Sequence, residues 1–345
     1  MEIRQLGDSE LKVSAVCLGT MTFGEQNSVS EAHEQLDHAV ERGVNFVDTA
    51  EMYPVPPKAD TVHRTESIVG NWLKRQPREA VVLATKVTGP RRAMGWIRGG
   101  PAALNRDNIR AALEGSLTRL QTDYIDLYQL HWPERNVPMF GGDQFDPGQE
   151  TDAVSIRDQL QTLAELVQEG KIRYVGLSNE TPWGVMRFLH LAQEHGLPRI
   201  VSIQNAYNLL NRTYEYGLSE VGYRERIGLL AYSPLAFGYL SGKYLADGDK
   251  RGRVTLFKGF AQRYQKPNVE PAVSAYAELA RQHGLSPAQL ALSFVYRRWF
   301  VASTIIGATG MSQLKENLDA WERPLSEDIL DAIETLHRRF TNPAP

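Results

Sequence analysis

The sequence predicts an α/β fold: a closed (β/α)8 TIM barrel with an N-terminal β-hairpin and extra C-terminal helices. Three observations predict it. Short strands and helical stretches alternate from end to end, and the strands are apolar on both faces, as in a parallel sheet covered by helices. The strands begin near residues 16, 44, 80, 124, 172, 200, 227 and 301, the eight that a closed barrel needs. An open doubly wound sheet is the competing architecture, but its G-x-G-x-x-G fingerprint after the first strand is absent. No Pro/Gly/Ser linker divides the chain, so residues 1–345 read as a single barrel domain.

Residues 2–6 and 11–15 alternate around Gly7-Asp8-Ser9 and read as the hairpin. Val16 to Leu18 is the first barrel strand. Ser30 is the expected N-cap of a helix to Arg42, stopped by Gly43. Val44 to Asp48 is the next strand, Thr65 to Arg75 is helical, and Ala80 to Lys86 is an apolar strand with a charged end. Asn105 or Asp107 caps a helix to Leu120. Tyr124 to Leu130 is a strand ended by His131-Trp132-Pro133, and residues 134–152 form a long loop. A helix from about Ser155 to Gln168 stops at Gly170, and the strand Ile172 to Leu177 ends at Ser178-Asn179. A helix over 182–195 leads to the strand Ile200 to Ile203, ended by Gln204-Asn205. A helix over 213–223 precedes Ile227 to Ala231, which ends at Tyr232-Ser233-Pro234. Residues 236–268 show no clear period. Helices near 270–283 and 287–298, the strand Val301 to Ile306, and helices near 311–320 and 326–339 complete the chain.

The 345 residues carry 38 basic and 41 acidic side chains, a net charge of −3, which argues against nucleic acid or an anionic membrane as partner. One cysteine, Cys17, permits no internal disulfide and sits in an apolar run, where a buried inert thiol is expected. The charged N-terminus has no apolar signal region, and no apolar run approaches the length of a membrane span; the expected location is the cytoplasm.

In a parallel barrel the C-terminal strand ends share one face, where sites are built. Those ends carry Gly19-Thr20, Asp48, Lys86, His131, Ser178-Asn179, Gln204-Asn205, Tyr232-Ser233 and Gly307-Thr309, with Tyr53 five residues beyond Asp48. A Tyr serves as a general acid near neutral pH only if its pKa is brought down from about 10. Lys86 is the candidate cation for that task, and Asp48 would offset the cost of burying it. His131 can hydrogen-bond a substrate oxygen. Together Asp48, Tyr53, Lys86 and His131 suit proton delivery to a carbonyl oxygen, and none is a nucleophile suited to acyl transfer. Each also has a plainer reading. A strand-end Asp is often a helix cap, a strand-end Lys is often solvated, His131 beside Trp and Pro fits a packed loop, and Tyr53 before Pro54 could simply cover apolar surface. The case for the site is their convergence on one face.

Other motifs fail. Gly238 to Lys243 has three residues between its glycines and Tyr244 after the Lys, so it is not a P-loop. His33-Glu34 and His38 lack the spacing of a zinc helix, and no G-x-S-x-G occurs. A metal-dependent barrel hydrolase would need more His and carboxylates at strand ends than Asp48 and His131. No metal is expected.

Read together, these motifs resemble the aldo-keto reductase family over nearly the whole chain. They are Asp48-Thr49-Ala50 with Tyr53, Lys86, Asp126-Leu127-Tyr128 before His131-Trp132, Gly170-Lys171-Ile172-Arg173, Gly176-Leu177-Ser178-Asn179, Tyr232-Ser233-Pro234-Leu235, and Gly307-Ala308-Thr309 with Gln313, Glu316 and Asn317. Glu51 to Pro57 and the Pro-Ala-Pro terminus bring the chain near the bacterial Tas-like branch. The resemblance implies reduction of aldehydes or ketones with NADPH, with Tyr53 as general acid, Lys86 and Asp48 tuning it, and His131 orienting the carbonyl. It implies nicotinamide contacts from Ser178, Asn179 and Gln204, and stacking on Tyr232. Ser233, Leu235 and Gly238 would line the pyrophosphate, and Lys243 and Arg253 would lie in the loop that folds over the cofactor. Gly307, Thr309, Gln313, Glu316 and Asn317 would meet the adenosine.

Many members carry a Lys and an Arg where this chain has Gly307 and Gln313, to hold the 2′-phosphate. Lys243, Arg253 or both would supply that charge here, and NADH is the lesser alternative. The stretch that holds them also carries Lys250, Arg251, Lys258, Arg263 and Lys266, a basic loop able to meet phosphate or, equally, a solvated charge run. Met21, Trp96, Trp132 and the 134–152 loop are candidate lining for an apolar pocket that takes a small carbonyl substrate, although both Trp residues also fit a packing role. An oligomer is possible. A different class remains open: a nicotinamide-binding module whose output is a protein contact, as some members of this superfamily serve channels.

Overall fold

A computed structural model describes residues 1–90, 94–245, 251–257, 259 and 261–345. Strands β1 (Ile3–Gln5) and β2 (Lys12–Ser14) pair antiparallel. Eight parallel strands follow: β3 (Val16–Gly19), β4 (Phe46–Asp48), β5 (Val82–Val87), β6 (Ile125–Leu130), β7 (Ile172–Ser178), β8 (Ile200–Ala206), β9 (Gly228–Tyr232) and β10 (Val301–Ile306). They close in sequence order, with β10 beside β3.

Strand parity explains both layers of the core. Phe46, Ala84, Leu127, Leu230 and Ile305 fill the barrel interior with Cys17. Val47, Leu83, Tyr128 and Leu177 face outward and pack against helix residues such as Leu36, Trp72, Leu113, Leu163 and Phe188. The hairpin plugs the N-terminal end of the barrel, where Leu6, Leu11 and Val13 join the interior cluster. Burying each contributes roughly 1.5–3 kcal/mol. Gly7 turns the hairpin with φ +56°, and a Cβ there would lie 2.2 Å from the Val201 carbonyl oxygen, so a side chain is excluded on both counts.

Several boundaries move from the expected ones. The first helix is Val29–Glu41 and is capped by Ser28, not Ser30, because Ser28 and Glu31 form a reciprocal capping box. The strands β4 and β5 begin later than expected, and a 3-10 turn, Arg78–Ala80, precedes β5. The expected helix over 213–223 is a 3-10 turn, Thr213–Tyr216, followed by a helix over Leu218–Glu225, with Gly217 breaking the two. Within 236–268, the described residues form only short pieces: Ala236–Ser241, Arg253–Leu256 and Gln262–Tyr264. Lys250 and Lys258 lie outside the described residues. Helices Val269–Gln282 and Pro287–Tyr296 come before β10, and Met311–Asp319 and Glu327–Arg339 after it. Among the described residues no helix is long and apolar enough to cross a membrane. Cys17 is buried, and burial pushes its thiol well above the ordinary range, as expected of an inert core cysteine.

Candidate active site

The same parity builds the site. One inward step beyond Phe46, Ala84 and Leu127 come Asp48, Lys86 and Gln129, and all three are buried. Lys86 Nζ donates to Asp48 Oδ2 at 2.6 Å and to the Thr49 carbonyl at 2.8 Å. The other carboxylate oxygen, Asp48 Oδ1, accepts from Gln204 Nε2 at 2.9 Å and Gln129 Nε2 at 3.2 Å. Thus a fully buried ion pair has nearly all its polar valences met, the condition under which such a pair is tolerated. Lys86 is not the last residue of its strand, since β5 runs on to Val87, and Gln204 likewise lies inside β8.

Tyr53 stands above this pair. Lys86 Nζ lies 5.0 Å from the centroid of its ring, and the His131 ring meets it edge-on at 5.9 Å. The loop that carries Tyr53 is tied down by Glu51. Its carboxylate accepts the Thr88 amide at 3.0 Å and pairs with Arg98, and its own amide donates to the Lys86 carbonyl at 3.2 Å. Arg98 was not among the residues the sequence singled out, and Glu51 entered only as part of the Glu51–Pro57 motif, without a role in the site.

The electrostatics correct one expectation. Burial pushes the Tyr53 phenol above its ordinary value; Lys86 acts in the expected downward direction but does not overcome it. Burial would lower the Lys86 ammonium, but Asp48 and Tyr53 reverse that and leave it above its ordinary value. At neutral pH the pocket therefore holds a protonated Tyr53 over a charged Lys86.

Beside this group lies a polar shelf. Ser178 Oγ donates to the Gln204 carbonyl at 2.8 Å. Asn179, with a left-handed backbone (φ 54°), donates Nδ2 to the His131 carbonyl at 2.9 Å and accepts the Tyr232 hydroxyl at 2.7 Å. Ser178, Asn179, Gln204 and Tyr232 thus share one network with His131. Ser233 accepts Asn208 Nδ2 on its carbonyl at 2.9 Å, Leu235 is partly buried, and Gly238 lies against Lys243. Lys243 Nζ stands 5.1 Å from the Tyr244 ring centroid, while Arg253 stacks on Phe237 with Nη1 3.6 Å from Met21 Sδ. Arg263 lies close to Tyr232 and Tyr264, and Lys266 Nζ donates to the Gly141 carbonyl at 3.1 Å, which ties this stretch to the 134–152 loop.

The predicted adenosine residues form a separate group after β10. Gln313 Oε1 accepts from the Thr309 amide and hydroxyl at 3.0 and 3.1 Å, and Asn317 Nδ2 donates to the Gly307 carbonyl at 3.2 Å. Glu316 accepts Ser286 Oγ at 2.6 Å, so its carboxylate is engaged by the neighbouring helix cap. Of the predicted pocket residues, Met21, Trp96 and Trp132 cluster with Tyr53, Met139 and Phe140. Trp132 is only 2% exposed and donates Nε1 to the Pro90 carbonyl at 2.8 Å, so it packs behind the cluster; Met21 and Trp96 are half-buried.

A family model for the aldo/keto reductase family matches residues 15–338. The chain belongs to the aldo/keto reductase family. It is 54% identical to Protein tas of Escherichia coli K12 over the full length of both chains. It is also similar to an aldo-keto reductase of Babesia bovis, at 42% identity over 76% of this chain and 98% of that one. L-glyceraldehyde 3-phosphate reductase of E. coli K12 is 30% identical over 93% and 87% of the two chains. The chain is thus an oxidoreductase of this family built on a TIM barrel.

Proposed function

We propose that this chain reduces aldehydes or ketones to alcohols with NADPH, Tyr53 delivering the proton. The observation that carries the reading is the buried Asp48–Lys86 pair directly beneath the Tyr53 phenol. The shelf also fits a nicotinamide: no donor among the described residues meets Gln204 Oε1, which leaves an open acceptor for a carboxamide N–H. Ser178, Asn179, Gln204 and Tyr232 would hold that end. Ser233, Leu235 and Gly238 would flank the pyrophosphate, and Gly307, Thr309, Gln313, Glu316 and Asn317 the adenosine. When bound, the cofactor supplies the hydride.

The chain's own residues do the rest. Tyr53 holds its proton above pH 7 and presents it from an apolar pocket, so transfer to a developing alkoxide is downhill. Lys86, charged and anchored by Asp48, stabilises the phenolate that remains. His131 fixes the carbonyl oxygen near the phenol. Met21, Trp96, Met139 and Phe140 give the mouth an apolar wall that suits aromatic or medium-sized aldehydes.

Preference for NADPH over NADH rests on Lys243 or Arg253, because Gly307 and Gln313 bring no cation to the adenosine end. The test measures NADPH and NADH binding and oxidation with an aldehyde panel that includes 4-nitrobenzaldehyde. Tyr53→Phe should bind NADPH as the wild type does and lose about 10²–10⁴-fold in turnover. Tight NADPH binding without turnover in either protein favours a cofactor-binding module instead. Binding of neither nucleotide overturns the reading, and a strong preference for small charged sugars overturns the substrate class.

A further inference from the structure

Gln129 is a buried amide in the middle of the site, and the reaction as described has no role for it. It faces inward from β6, in register with Lys86 on one side and Gly176 on the other. Its place is reserved by its neighbour: a Cβ on Gly176 would lie 3.1 Å from Gln129 Cγ and 2.6 Å from Ser202 Oγ. Its Nε2 donates to Asp48 Oδ1 at 3.2 Å, and its Oε1 accepts from Gln204 Nε2 at 3.1 Å. The sense of this chain of amides is fixed by charge. An inverted Gln129 would set Oε1 against the Asp48 carboxylate, so Nε2 must face Asp48 and Oε1 must face Gln204. Gln204 then spends one Nε2 hydrogen on Gln129 and the other on Asp48, at 2.9 Å. Its Oε1 is left as the acceptor that faces the ligand.

We propose that Gln129 is a positioning residue: through it and Asp48, the Gln204 amide is locked with its oxygen presented, so that the site selects a ligand ring bearing an N–H donor. The proposal rests on the reading of the shelf as a nicotinamide site, and it assigns a residue and a polarity that this reading leaves open. Without Gln129, Gln204 keeps only its bond to Asp48; its amide keeps its sense but can swing about that single anchor, so Oε1 no longer holds its aim at the ligand.

The test compares NADPH with the reduced 3-acetylpyridine analogue, which carries a methyl ketone and no N–H in place of the carboxamide. Binding is measured by titration calorimetry for the wild type, Gln129→Leu and the near-isosteric Gln129→Met, with far-UV circular dichroism to establish that each variant is folded. The wild type should bind NADPH about tenfold more tightly than the analogue, the worth of one well-placed hydrogen bond. In both variants that ratio should fall to about one or two, mostly through weaker NADPH binding. A residue that merely supported the fold would weaken both ligands in proportion and leave the ratio intact. That result, or a wild-type ratio near one, overturns the proposal. If the wild type binds neither ligand, the cofactor reading falls and takes the proposal with it. If NADPH binds and the ratio is unmoved, only the role of Gln129 is lost.

Discussion

Replacing Asp48 by Asn tests the ion pair through stability as well as activity. Lys86 is 0% exposed and Asp48 2%, so the ammonium has no route to water. The substitution removes its counter-charge and leaves it only neutral acceptors, among them the Thr49 carbonyl at 2.8 Å. Breaking one partner of a buried pair costs about 3–5 kcal/mol, a large share of the roughly 5–15 kcal/mol that holds a typical domain folded. With a urea slope of about 3 kcal/mol per M, the midpoint should fall by about 1–1.7 M at pH 7. The pH dependence is more diagnostic. In the wild type the Lys86 pKa is raised, so its charged form stabilises the fold below an unfolded value of about 10.4 and ceases to as the pH rises through the folded one. Without Asp48, burial acts almost unopposed and draws the folded pKa below the unfolded one. The variant's penalty then relaxes as the pH rises through that lowered value. The stability gap should therefore narrow from pH 7 to pH 10, and Asp48→Asn/Lys86→Met should recover most of it at pH 7. A gap below about 1 kcal/mol at pH 7, or one constant to pH 10, would refute the argument.

Because burial holds the Tyr53 phenol above its ordinary value, carbonyl reduction should persist until the pH passes about 10. An alkaline limb in kcat centred below pH 9 would show that the cation outweighs burial in the loaded site. Gly176→Ala forces a methyl into contact with Ser202 Oγ and Gln129 Cγ; it should cost about 1–3 kcal/mol in urea unfolding, and an unchanged midpoint would mean that the strand yields freely. Glu51→Leu removes the carboxylate that joins the Tyr53 loop to Thr88 and Arg98. It should destabilise by about 3 kcal/mol and lower kcat, and a fully active variant of wild-type stability would show that the loop is held by other contacts.

How far the sequence led depends on strand parity. Eight apolar segments of the right length were enough for the barrel, since a buried parallel strand leaves a signature that needs no partner to be visible. Asp48 and Lys86 were legible because each is an ionisable residue closing an apolar run, a place where core packing alone would not put one. Looking at the residue just past each strand, however, finds His131 and skips Gln129. On β6 the side chain that shares the inward layer with Asp48 and Lys86 is the penultimate one, and its neighbour Leu130 faces the helices. The available signal was the two-residue step from Leu127, aligned with those from Phe46 to Asp48 and from Ala84 to Lys86. It becomes decisive only once the register is known, because a one-residue slip exchanges the faces. The phenol's pKa failed for a related reason. The sign of the Lys86 effect follows from residue types, but the competing burial depends on Tyr53 being packed with Trp132 and Met94, contacts that no spacing in the chain announces. A site laid out by parity and tuned by packing thus declares its charged members in the sequence. It withholds its neutral ones, which is why the amide that holds Gln204 in place is the residue most worth changing.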